Sequence, residues 1–308
     1  MQNLPSPQGL EWTILGLLKW STGYFTSHDI DSPRATAEIL LAHTLNLKRI
    51  DLYLRYDQPL LKTELSAYKS LIKRRISREP VAYIIGTKEF WSKELSVGPD
   101  VLIPRPDTEC LVETALKYLD AVRDPHVLQS EGLLEGKVLE LGVGSGAVVV
   151  ALASERPLYR YVATDVSMKA ILAARQNAGK HKVNNRIQFV AGDWLEAFSP
   201  HIPSFDMILS NPPYIPSGEI PELQPEVAQF EPRLALDGGE DGLSAIRRII
   251  SMAYLLLKPG GRLLLEIGCS QAADVVRMIQ ASGYYASFHV VQDYAGHDRV
   301  VVMQTFSE

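Results

Sequence analysis

Asn211-Pro212-Pro213-Tyr214 carries the most distinctive chemistry in the chain. It follows the apolar run Phe-Asp-Met-Ile-Leu-Ser at 205–210. Pro212 restricts Asn211 to extended geometry. Neither proline has a backbone N–H, so each offers only a carbonyl acceptor. The product is a stiff corner with one side-chain amide, backbone carbonyls and an aromatic face. Such a corner suits a planar –NH2 group. The Asn211 side-chain oxygen and the Pro212 carbonyl accept its two hydrogens, and Tyr214 stacks on its plane. A proline-rich turn after a strand is the plain alternative, and residues upstream decide between the two.

Upstream lies Glu140-Leu141-Gly142-Val143-Gly144-Ser145-Gly146. Glycines let the backbone approach a ligand, and the helix that follows presents free N–H groups. With Ala147, the loop also satisfies the permissive dinucleotide pattern Gly-x-Gly-x-x-Gly/Ala. Asp165 ends Ala163-Thr164-Asp165, where a carboxylate accepts both ribose hydroxyls of either a dinucleotide or S-adenosyl-L-methionine. Asp193 offers an acceptor for an exocyclic amine, and Trp194 an indole to stack on adenine. Glu140 suits the amino group of a methionine moiety. A dinucleotide has no cation there, and its pyrophosphate would be repelled.

These residues need a frame. Apolar runs at 137–141, 161–165, 187–191, 205–210 and 262–267 alternate with helical stretches at 148–155, 167–179, 242–257 and 272–282. The turn Lys258-Pro259-Gly260-Gly261 opens the fifth strand. Two last strands, 287–291 and 299–305, lack a helix between them and are expected to pair antiparallel. The pattern predicts an α/β fold: a doubly wound, seven-stranded, mostly parallel Rossmann-like sheet with its ligand crevice at the C-terminal strand ends. Residues 1–80 read as a small helical domain. Trp12, Leu15 and Leu18 mark one helix. A second is opened by Ser32 as N-cap and Pro33, with Ala35, Ile39, Leu40 and His43 on its stripe. A third spans 63–78, with Leu65, Tyr68, Ile72 and Ile76. Residues 81–105 form the connector, a β-hairpin with strands 90–92 and 95–97 around Lys93-Glu94, and 106–308 the catalytic domain. Asp107 or Thr108 caps the helix after the connector.

Composition narrows the function. The 308 residues are 46% hydrophobic and 22% charged, with net charge −5. That argues against a protein devoted to gripping nucleic-acid backbone. Residues 1–80 hold 11 Lys/Arg against 8 Asp/Glu, a balance of +3, and the rest carries −8. Lys73-Arg74-Arg75 with Arg78 is either a favourable helix C-terminal charge cluster or a contact for RNA or an RNA-bound partner. Cys110 and Cys269 stand far apart without companion histidines, so neither a disulfide framework nor a metal is expected, and a cytoplasmic location fits. The longest apolar run, 147–153, falls far short of a membrane span. Met1-Gln-Asn-Leu-Pro-Ser-Pro lacks the pattern of a secretory leader.

Glycine loop, acid, acid and Asn-Pro-Pro-Tyr, in that order, resemble the class I S-adenosyl-L-methionine-dependent methyltransferases of planar nitrogens. Tyr83-Ile84-Ile85-Gly86, the run 102–109 (Leu-Ile-Pro-Arg-Pro-Asp-Thr-Glu), the stretch 230–239 (Phe-Glu-Pro-Arg-Leu-Ala-Leu-Asp-Gly-Gly) and the tail 293–299 (Asp-Tyr-Ala-Gly-His-Asp-Arg) narrow this. They resemble the peptide chain release factor glutamine N5-methyltransferases from about residue 70 to the end. The resemblance implies methyl transfer from S-adenosyl-L-methionine, leaving S-adenosyl-L-homocysteine. The acceptor is the glutamine amide in the Gly-Gly-Gln loop of bacterial-type release factors. It assigns Glu140, Gly142, Val143, Gly144, Ser145, Gly146, Asp165, Asp193, Trp194 and Asn211 to the cofactor. It assigns Asn211, Pro212, Pro213 and Tyr214, with Arg105, to the substrate, and Asn211, Pro212 and Tyr214 to catalysis. Glu140 stands where the family usually has Asp, and Val143 where it has Thr. A monomer with a protein substrate and no stable nucleic-acid or membrane partner is expected, the N-terminal domain serving docking. Adenine-N6 methylation of DNA or RNA is the alternative, since adenine also presents a planar –NH2. A nicotinamide-dependent oxidoreductase is a further one, for which Glu140 and the proline corner are awkward.

Overall fold

A computed structural model describes residues 12–120, 136–199 and 202–307. The opening stretch Met1–Pro7, read above for a leader, lies outside them. The chain forms two compact units: Met1–Gly86 with Pro225–Phe230, and Thr87–Gln224 with Glu231–Glu308.

The first unit is helical: Ile14–Thr26, Pro33–Leu45, Arg49–Leu54, Lys62–Ile76, Val81–Ile85 and Pro225–Phe230. Its core gathers Ile14, Leu17, Phe25, Leu40, Leu41, Tyr68 and Ile72. Buried Tyr68 satisfies its hydroxyl on Ser21 Oγ at 2.9 Å. Two local expectations are corrected. Ser32 sits at the N-cap position but in left-handed geometry, φ 48°, with no side-chain capping bond. The buried stripe of that helix is Ala37, Glu38, Leu40 and Leu41, while His43 is exposed, so the expected stripe is rotated. The basic cluster is mostly used inside the unit. Arg75, 4% exposed, pairs with Glu226 at 2.7 Å. Arg74 pairs with Glu79. Arg78 donates to the Asp29 carbonyl at 2.8 Å. Cations committed to internal partners are not free to hold phosphate.

The second unit opens with a hairpin, β1 (Thr87–Phe90) and β2 (Lys93–Ser96). Its turn falls at Trp91-Ser92, not at Lys93-Glu94 as expected. Both turn residues have positive φ, 50° and 54°, a geometry normally supplied by Asn-Gly. Trp91 is held there by distant partners: its N–H donates to Glu109 and its indole to Glu155.

The main sheet contains β3 (Lys137–Leu141), β4 (Arg160–Asp165), β5 (Ile187–Ala191), β6 (Phe205–Ser210), β7 (Leu257–Glu266), β8 (Tyr285–Gln292) and β9 (Asp298–Thr305). Their order is β5-β4-β3-β6-β7-β9-β8. The first five are parallel, and β9 joins β7 and β8 antiparallel. The central strands read as continuous apolar runs because both sheet faces are covered. Side chains alternate between two cores. Val138, Met207, Leu209 and Leu264 enter one with the helices Glu109–Asp120 and Ala147–Glu155. Leu139, Ile208, Leu263 and Leu265 enter the other with Ser244–Ala253 and Ala272–Ser282. Strand order reverses between β3 and β6, which places a crevice beyond their carboxyl ends. Among the described residues no helix is long and apolar enough to cross a membrane, and no group of His, Cys, Asp and Glu is placed to hold a metal.

Candidate active site

A cavity of about 530 Å³ occupies that crevice, lined by residues of the second unit alone. Its volume lies in the range of roughly 300–1,000 Å³ usual for small-molecule sites. The ends of β3, β4, β5 and β6 and the loops that follow them all open on it, contributing Glu140, Gly142 to Ser145, Asp165, Asp193-Trp194 and Asn211.

The glycine loop is built by close approach. Gly146 has φ 82°, and a Cβ there would stand 3.0 Å from Ala174 Cα. A side chain meets left-handed strain of about 1–2 kcal/mol and overpacking of about 1–3 kcal/mol. Gly146 is buried behind the cavity lining, and Gly146→Ala is therefore expected to lose about 2–5 kcal/mol by chemical denaturation. Val143 is buried in the core, its N–H bound to the Thr164 carbonyl at 2.8 Å. Ser145 is also buried, its carbonyl accepting from Asn177 at 2.9 Å. Asn177 pins β2 as well, exchanging two bonds with Ser96.

Asp165 receives Gly144 N–H at 3.0 Å and Ser167 N–H at 2.9 Å, one on each oxygen. Burial raises its carboxyl above the ordinary range, and these bonds oppose the rise. Each oxygen keeps a lone pair for a hydroxyl. Trp194, at φ 49°, lays its ring over the Gly142 position. Asp193 is paired with Arg248 at 2.8 Å, so only part of its carboxylate faces the cavity unpaired. Glu140 is 4% exposed, and its Oε2 has no hydrogen-bond partner. Burial, then the nearby Asp165, pushes this carboxyl well above the usual carboxylate range. An orphaned buried oxygen on the cavity wall fits a ligand cation.

At the end of β6, beside β3, Asn211 Nδ2 donates to Thr108 Oγ1 at 3.1 Å. Its Oδ1 and the Pro212 carbonyl meet no donor among the described residues. Pro213 lines the cavity, whereas Pro212 is buried behind it. Tyr214 does not line the cavity. Its ring packs on the second core, its carbonyl accepts from Gln271 at 2.9 Å, and burial pushes its hydroxyl up to about 12. Gly242 must be glycine for this contact, since a Cβ would stand 2.5 Å from the Tyr214 carbonyl. Arg105 lines the cavity mouth and pairs with Glu231 at 2.5 Å; Glu231 also receives Ile103 N–H at 3.0 Å. The structure thus brings the four loops and Arg105 together and sets Tyr214, Pro212 and Gly146 one layer back.

Sequence reasoning missed Thr108 as the Asn211 partner, Gln271 as the clamp on the corner, and Leu234 and Ala235 at the rim. It also missed Arg299, which is buried against Asp107 and Asp293. Their signals were the stretches 102–109, 230–239 and 293–299, legible as motifs but silent on contacts, and Gln271 lies in none of them.

Two family models match: the PrmC N-terminal domain over residues 16–86 and the Methyltransferase small domain over 126–224. The release factor glutamine methyltransferase of Geobacter sulfurreducens is 42% identical over 94% of this chain and 96% of that protein. That of Rhodopirellula baltica is 36% identical over 95% of this chain and 96% of that protein. The bifunctional methyltransferase of Rickettsia felis is 37% identical over 95% of this chain and 58% of its own length. The solved hMettl16 catalytic domain, in complex with MAT2A 3'UTR hairpin 6, shares the fold at TM-score 0.52. It does so at 14% identity over 76% of this chain and 81% of that chain.

Proposed function

Because the chain belongs to the release factor glutamine methyltransferase family, we propose that it methylates the side-chain amide nitrogen (N5) of the glutamine in the Gly-Gly-Gln loop of bacterial-type peptide chain release factors. When bound, S-adenosyl-L-methionine supplies a sulfonium methyl, and S-adenosyl-L-homocysteine is the product. Glu140, the loop Gly142–Gly146, Asp165 and Trp194 hold the cofactor, and Asn211 with Pro212 holds the amide.

One observation carries this reading. The orphaned Glu140 oxygen and the Asn211 amide line one cavity from the ends of the neighbouring strands β3 and β6, and the Asn211 Oδ1 is left open by Thr108. An amide nitrogen is a poor nucleophile because its lone pair is delocalised. Two acceptors on its hydrogens draw density to nitrogen and aim the lone pair, so the chain's contribution is positioning and electrostatics. Tyr214, set back from the cavity, acts by bracing the corner. Arg105 at the mouth and the first unit are assigned to docking the protein substrate.

The test is a labelling experiment. The purified protein is incubated with methyl-labelled S-adenosyl-L-methionine and, separately, a release factor, DNA and RNA. Label in the release factor at its glutamine is expected. Its loss on changing that glutamine to alanine fixes the site. Label in DNA or RNA instead overturns the reading in favour of an adenine-N6 methyltransferase.

A further inference from the structure

Glu266 ends β7, 1% exposed. β6 and β7 run parallel with Ser210 opposite Leu265, so Glu266 stands level with Asn211. Neither carboxylate oxygen has a hydrogen-bond partner. A carboxylate buried in that state costs folding free energy, and each such group asks for an explanation.

Its surroundings come from four elements. The turn Pro106–Thr108 brings the Thr108 hydroxyl and the Asp107 carboxylate, the corner after β6 brings the Tyr214 hydroxyl, and β9 brings the Arg299 guanidinium. The Glu109–Asp120 helix brings the Cys110 thiol. Arg299 directs its N–H groups to Asp107 and Asp293, each at 3.2 Å, and to the Ile267 carbonyl. The hydroxyls of Thr108 and Tyr214 face Glu266 and oppose the rise of its pKa, though neither stands in full hydrogen-bond geometry. The contact is loose. Loose contacts of this kind in unliganded sites tighten on loading.

Thr108 also accepts from Asn211. A hydroxyl has one hydrogen to give, and Glu266 is the buried acceptor it faces. We infer that Glu266 is a positioning residue: its carboxylate takes the Thr108 hydrogen, so that Thr108 presents only lone pairs to Asn211 and turns the Asn211 oxygen toward the substrate –NH2. A protonated Glu266 reverses the chain. It donates to Thr108, the Thr108 hydrogen swings to Asn211, and the amide flips its NH2 toward the substrate –NH2, donor against donor. Burial, opposed by the hydroxyls and Arg299, pushes the Glu266 carboxyl up to about 7, which puts this reversal near neutral pH.

The inference rests on the proposed function for the identity of the –NH2, and not for the direction Asn211 faces. Glu266→Gln is expected to lower kcat about 10–100-fold, with KM for the release factor and cofactor affinity by calorimetry held within about threefold. The acid limb of the wild-type kcat profile, with its midpoint near 7, should vanish. Thr108→Val should reproduce the kcat loss and Thr108→Ser restore it. The melting temperature supplies a readout independent of turnover. Ionised Glu266 opposes folding, so wild-type stability relative to Glu266→Gln should fall as pH rises from the unfolded value toward 7. Unchanged kcat in Glu266→Gln overturns the inference. So does a lost kcat accompanied by a lower melting temperature and a retained acid limb, the mark of a merely structural residue. If wild-type protein leaves the release factor unlabelled, the proposed function fails. The direction of Asn211 then stands or falls on the melting series of Glu266→Gln and Thr108→Val.

Discussion

Asn211→Ala should bind S-adenosyl-L-methionine within about threefold of wild type yet lose about 10²–10³-fold or more in kcat. The corner is built so that a single side chain presents the acceptor. Thr108 takes the Asn211 NH2 at 3.1 Å, which leaves Oδ1 open, and on the proposed reading the substrate –NH2 meets it there. Truncation to alanine removes Oδ1 and leaves the prolines and their fixed geometry in place. The loss corresponds to about 3–4 kcal/mol of transition-state stabilisation. Cofactor affinity is expected to be spared because the residues proposed to hold it, Glu140, Asp165 and Trp194, belong to the other chain segments of the cavity. The checks are single-turnover kinetics with a release factor and calorimetric titration of the cofactor. A variant that turns over at a near-normal rate removes Asn211 from the chemistry and the corner from the mechanism.

The parts of the fold legible in the sequence were those set by local chemistry. The strand at 137–141 is buried at four of its five positions, and such a run announces a central parallel strand. Three glycines at alternate positions announce a backbone in contact with something. What the sequence hid was set by distant partners. Trp91-Ser92 forms the hairpin turn only because Glu109 and Glu155, 18 and 64 residues away, hold Trp91 at positive φ. The basic cluster at 73–78 resembled a surface for phosphate, yet Arg75 is matched by Glu226, 151 residues on. At the site, the residues that line the cavity were readable and their supports were not. Thr108 lies 103 residues from Asn211, and Tyr214 gave no sign that its ring turns to the core.

Glu140→Gln should weaken cofactor binding by at least about 30-fold, equivalent to about 2 kcal/mol, the low end for removing one member of a buried charge pair. The direction follows from the orphaned Oε2. In the empty protein the carboxyl is buried with no partner for that oxygen, and its pKa is raised well above the ordinary range. A group whose folded pKa lies above its unfolded value stabilises the fold while protonated, and that contribution is lost as pH rises through the folded pKa. The empty wild-type protein is thus most stable, in this respect, on the acid side. Glutamine removes the charge and should raise the melting temperature of the empty protein at high pH. A bound ammonium reverses the preference, since the carboxylate then has the opposite charge that burial denied it. Binding must therefore release a proton, and wild-type affinity for S-adenosyl-L-methionine should rise with pH until the empty-state pKa is passed. The same titration on Glu140→Gln should lose this rise. Calorimetry in buffers of different ionisation enthalpy reads the released proton directly. A Glu140→Gln protein that binds as tightly as wild type, with the same pH slope, would mean that the amino group of the cofactor is held elsewhere on the cavity wall.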